Sequence, residues 1–167
     1  PKLRGRYRSR PMEDILTEAR ALAADGVKEC IVIAQDITRY GVDLYHEKKL
    51  PELLRELCQL DFHWIRLHYL YPDTITDELI DTIAAEPKIC KYIDMPIQHC
   101  NDTILKAMRR RETHAGLLAM METLRAKIPG VVLRTSLITG LPYEDEAAFD
   151  ELCEFLRETH IERAGVF

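Results

Sequence analysis

The chain has 167 residues, of which 47% are hydrophobic and 31% charged, enough for one globular domain with a sizeable core and too few for two. No apolar run nears the roughly 20 residues that span a bilayer, and the basic opening leads into no apolar stretch, so neither a membrane segment nor an export signal is expected. A formal charge of -5 counts against nucleic-acid affinity spread over the whole surface, though not against a local basic patch.

Helical and strand-like segments alternate along the chain with little between them. The first helix is predicted to open after Pro11, with Glu13 and Asp14 in its first turn and Ile15, Leu16, Ala19, Leu22 and Ala23 along one face, and to stop at Gly26. Apolar residues 30–34 read as a strand covered on both faces, running into polar Gln35, Asp36 and Thr38. A second helix follows from Pro51 to Cys58 and a second strand over 64–69. Thr76 opens a third helix that ends near Ala85, before Pro87, and 92–95 form the next strand. Asn101 caps a short helix to Met108, and Thr113 starts a longer one to Lys127, stopped by Pro129 and Gly130. Residues 131–138 read as a strand, 146–158 as the last helix and 164–167 as the opening of a final strand.

Strict βα alternation predicts an α/β fold with a parallel sheet, either doubly wound or part of a (βα) barrel, and periodicity does not choose between them. No linker or repeat divides 1–167, which is read as a single domain truncated at both ends. Such a piece is expected to expose a sheet edge and part of an apolar interior.

Five cysteines, Cys30, Cys58, Cys90, Cys100 and Cys153, are odd in number and widely spaced, which suits buried thiols in a reducing, cytoplasmic setting and no metal site. The adjacent His99 and Cys100 lack further closely spaced ligands, so His99 is read as a loop residue near the pocket.

In parallel βα folds function gathers at the carboxyl ends of the strands. Those ends carry Gln35, Asp36 and Thr38; His68 and Tyr69; Asp94, Gln98 and His99; and Thr139, Gly140 and Glu144. Each alone is better explained as a cap or loop residue; their convergence is what points to a site. Gly140, in Gly140-Leu141-Pro142, suits a tight turn that lets backbone approach a ligand, and Glu144 to Glu146 suit the positive end of the following helix. Two basic stretches, Lys2 to Arg10 and Arg109 to Arg111, fit either contacts to anions or, respectively, a solvated end and a helix C-terminus.

An ordered set of strings resembles the radical S-adenosylmethionine (SAM) methylthiotransferase family: the opening Pro1 to Pro11, then residues 34–45, 66–72, 92–99 and 134–142. The stretches at 40–43 and 67–72 are more similar to the branch that modifies a ribosomal protein than to the branch that modifies transfer RNA. The resemblance implies a partial (βα) TIM-like barrel whose first strand and CxxxCxxC loop would lie before Pro1. It implies SAM and a 4Fe-4S cluster as cofactors, reductive cleavage to a 5′-deoxyadenosyl radical, hydrogen abstraction, and insertion of a methylthio group into an aspartate side chain of small-subunit ribosomal protein twelve. A ribosomal partner, an electron-donor protein and further domains on both sides go with it. Gln35, Asp36, Gln98, Arg134, Gly140 and Glu144 are the residues expected around the cofactor, and this stretch alone, without the cluster cysteines, is expected to be inactive. Tyr143 departs from the family pattern, which places glycine there. A transfer RNA methylthiotransferase and a non-catalytic βα domain that binds a nucleotide or a partner are the alternatives.

Overall fold

The computed structural model describes residues 5–167; Lys2 and Arg4 of the first basic stretch lie outside them. The strands are β1 Glu29–Val32, β2 Trp64–Leu67, β3 Ile89–Asp94, β4 Val132–Leu137 and β5 Arg163–Val166. The helices are α1 Met12–Ala24, α2 Val42–Tyr45, α3 Leu50–Cys58, α4 Asp77–Ala85, α5 Asp102–Ala107, α6 His114–Lys127 and α7 Glu146–Thr159, with a 3₁₀ turn at Pro72–Thr74. Capping sets several boundaries: the side chains of Thr76, Asn101, Thr113 and Asp145 each accept a backbone N–H from the first turn that follows.

All strands pair in parallel, in the order β1-β2-β3-β4-β5. That order settles the alternative left open by periodicity. A doubly wound sheet reverses direction at a switch point, and none occurs among the described strands. Right-handed crossovers stepping always the same way put the helices on one face, as in a barrel wall.

The core lies between that face and the helices. Ile65, Leu67, Ile93, Leu133 and Leu137 meet Leu53, Leu54 and Leu57 of α3, Ile80 and Ile83 of α4, Leu117 and Leu124 of α6, and Leu152 and Phe155 of α7. Each such fully buried side chain contributes about 1.5–3 kcal/mol. On the other face no helix among the described residues covers the sheet, and Ile31, Ile33 and Trp64 stay exposed there.

Two strands stop short of their apolar runs. β1 ends at Val32, and β2 ends at Leu67, just before Tyr69 takes a left-handed φ of 60° that leaves the ladder. The loops nevertheless stay joined: Tyr69 accepts Ile37 N–H, Asp94 accepts Leu70 N–H, and Arg134 accepts Met95 N–H, all through backbone carbonyls. No helix among the described residues is long and apolar enough to cross a membrane.

Candidate functional site

Alternation along each strand sends every second side chain to the uncovered, concave face. There the register aligns a row of polar groups. Asp94 lies opposite Arg134, Arg134 opposite Arg163, and His68 directly follows Leu67, which pairs with Ile93. Asp94 Oδ1 accepts from an Arg134 guanidinium nitrogen at 2.8 Å, and Asp94 Oδ2 meets His68 Nδ1 at 2.8 Å. The Asp94 side chain is only 2% exposed against 28% for Arg134. A carboxylate this enclosed needs its partners, and it holds Arg134 protonated by raising the guanidinium pKa.

A second row lies one pleat back along the strands. Arg66 Nε donates to Glu29 at 2.5 Å, the Arg66 guanidinium lies 5.2 Å from the centre of the Tyr92 ring, and the His68 ring meets the same tyrosine edge-on. Sequence reading passed over Glu29, Arg66 and Tyr92. Their signal was present as charged or aromatic residues at alternate positions inside apolar strands.

The rim above these rows is built of strained turns. Tyr69, Gln98 and Tyr143 all take positive φ, a conformation that costs a non-glycine residue roughly 1–2 kcal/mol. Gln98 bridges to β4, its N–H reaching Ser136 and its carbonyl accepting from Ile138. Gly140 has φ 74°, and a Cβ there would meet nothing within 4 Å; glycine is favoured there by the backbone angle, not by crowding. Tyr143 holds its turn with φ 71° and is 80% exposed.

Glu144 turns inward from this rim. One oxygen accepts Leu141 N–H at 2.8 Å and the other lies 3.4 Å from His99 Nε2. His99 is fully buried, and its Nδ1 accepts Asn101 N–H, which leaves the proton on Nε2 facing Glu144. Asp36 accepts from both the N–H and the hydroxyl of Thr38, and Gln35 is exposed beside it. Gln35, Asp36, Gln98, Gly140 and Glu144 thus follow the carboxyl ends of β1, β3 and β4, and Arg134 sits lower, three residues before β4 ends.

His99 and Cys100 do not act as a pair. Cys100 gathers instead with His114 and Glu151, their donor atoms all within 4.8 Å, a grouping from three distant segments that spacing cannot reveal. His114 Nδ1 and Asn101 Nδ2 both bond Glu151, which accounts for the cluster without an ion. Within Arg109 to Arg111, Arg110 turns inward, donating to the Pro96 carbonyl and Glu112 and lying over Tyr71, while Arg109 and Arg111 are exposed.

The Radical SAM superfamily matches residues 1–156 of the chain. Proteins named ribosomal protein uS12 methylthiotransferase RimO are similar over its whole length: that of Lachnoclostridium phytofermentans is 55% identical and that of Alkaliphilus oremlandii 52%, each over 168 aligned positions. The chain spans 38% of the length of each. Among solved structures, the Kitasatospora setae radical SAM methyltransferase TsrM superposes with a TM-score of 0.72 at 16% identity, covering 94% of this chain and 30% of that one. Escherichia coli coproporphyrinogen III oxidase HemN does so with 0.65 at 19%, covering 97% and 39%. Matched over nearly all its length and folded into the same parallel wall, the chain belongs to the radical SAM superfamily.

Proposed function

We propose that residues 1–167 are the central part of the radical SAM core domain of a longer cytoplasmic enzyme that adds a methylthio group to an aspartate side chain of ribosomal protein uS12. The reading rests above all on more than half identity, from end to end of the chain, with proteins named for that activity. The concave face supports it, because a polar, partly cationic trough at strand ends suits a zwitterionic nucleotide and an acidic side chain.

SAM and a 4Fe-4S cluster, fed by an electron-donor protein, would supply the radical chemistry. The chain's own cysteines do not fit the cluster. The only grouping among the described residues holds one thiol, and burial pushes the Cys58 and Cys100 thiols up to about 11 and about 12. The ligand thiolates are therefore proposed to lie before Pro1. What this chain contributes is binding and orientation: Gln35, Asp36, Gln98 and the Gly140 turn at the rim toward SAM, Glu144 bracing that turn, and Arg134 below them.

The test uses the full-length protein containing this chain, reconstituted with iron, sulfide and reductant and supplied with SAM. Mass spectrometry of uS12 is expected to find one added methylthio group. Modification of transfer RNA with none of uS12 overturns the choice of substrate. Failure to assemble a cluster or cleave SAM overturns the enzyme reading and favours a partner-binding domain.

A further inference from the structure

Arg134 is tethered on one side only. A single guanidinium nitrogen bonds Asp94, and no other hydrogen bond to the group occurs among the described residues. On its β5 side stands Gly165, where a Cβ would come 3.6 Å from the second terminal nitrogen. Any larger side chain at 165 would lie against the guanidinium. The fork therefore presents an uncovered edge to the concave face.

Charge in this row leaves room for an anion. Among the described residues Asp94 is the one carboxylate of this row, its two oxygens are engaged by Arg134 and His68, and Arg163 stands beside Arg134 on β5. Glu29, the other carboxylate of the concave face named above, is paired with Arg66 one row back. A planar guanidinium already fixed by a buried carboxylate is a preformed bidentate receptor for a second carboxylate. It pays little ordering cost on binding.

We propose that Arg134, positioned by Asp94, binds the side-chain carboxylate of the protein substrate and so selects aspartate as the residue modified. The inference rests on the uS12 reading above. Depth favours the substrate over the carboxylate of SAM: Arg134 lies three residues, roughly 10 Å of strand, before β4 ends, below the rim residues assigned to the cofactor. In an aspartate side chain only one methylene separates the backbone from the carboxylate. Gripping both oxygens therefore fixes the orientation of that methylene's hydrogens, which an amide or a longer side chain would not reproduce.

The experiment uses the reconstituted full-length enzyme with uS12 carrying aspartate or asparagine at the modified position. Variants are Arg134→Lys, which keeps the charge but not the fork, and Asp94→Asn/Arg134→Gln, which removes both partners so that no buried charge is left alone. The expected result is a KM for the aspartate substrate raised by about 30-fold or more, a much smaller change in SAM affinity, and loss of the preference for aspartate over asparagine in the double variant. Retained preference in that variant, or a loss falling mainly on SAM affinity, overturns the proposal. If the wild-type enzyme leaves uS12 unmodified, the substrate reading itself fails, and that outcome is separate from either variant result.

Discussion

Asp94 holds Arg134 and His68 on its two oxygens at 2.8 Å each while its own side chain is 2% exposed. The two ends of the ion pair are unequally enclosed, so deleting them should cost differently. Arg134→Leu leaves a buried carboxylate without its cation and is expected to destabilise by about 3 kcal/mol. Asp94→Asn leaves an arginine that water can reach and should cost about 1–2 kcal/mol. Urea unfolding of both variants checks the order, and equal losses would contradict it.

Tyr143 occupies left-handed backbone without a packing reason, its side chain being 80% exposed. Tyr143→Gly relieves a conformational cost of roughly 1 kcal/mol and removes almost no buried surface. It should leave the chain equally stable or more stable by up to about 1 kcal/mol, whereas β-branched Tyr143→Val should destabilise it by about 1 kcal/mol. Denaturant midpoints of the pair decide, and a glycine variant less stable than the valine variant would refute the account.

The contrast between those two predictions reflects what sequence can and cannot disclose. Helix starts at Thr76, Asn101 and Thr113 were readable because a cap is a local device, one oxygen meeting N–H groups two or three residues on. The strands were readable as apolar runs, but not their ends, since Tyr69 leaves the ladder through a backbone angle that no composition encodes. Barrel order waited on pairing between segments some thirty residues apart. At the site, Arg134 was legible as a charge inside an apolar strand. That Asp94 holds it, with His68 on the other oxygen, follows only from register, and the burial of Glu144 against His99 spans 45 positions.

Gly41 joins a left-handed φ of 91° to a crowded site, where a Cβ would meet the Lys49 Cβ at 2.9 Å and the Glu47 carbonyl at 3.0 Å. Gly130, with φ 72°, has nothing within 4 Å. Gly130→Ala should therefore cost only the backbone term, about 1 kcal/mol. Gly41→Ala should cost about 3 kcal/mol, because the loop carrying α2 must also shift. Thermal unfolding of the two variants side by side measures the difference, and matching melting temperatures would count against the steric reading.

Asp43 fastens the segment before α1 to the start of α2. Its two oxygens accept the Ser9 hydroxyl at 2.6 Å and the Ser9 N–H at 2.8 Å, while Ser9 Oγ accepts Gly41 N–H. The Ser9 hydroxyl first, then its N–H, hold the Asp43 carboxyl below the usual aspartate value. A depressed folded-state pKa means the unfolded chain takes up the proton more readily, so this stabilisation is complete above the unfolded value, near 4, and fades as pH falls through the lower folded one. Hydrogen-exchange protection of the Ser9 amide, corrected for intrinsic rates, should hold from about pH 6 to pH 5 and drop below about pH 4. In Asp43→Asn it should be weak throughout and show no such step. An unchanged acid step in that variant would assign the titration to another group and detach Asp43 from the anchoring of this segment.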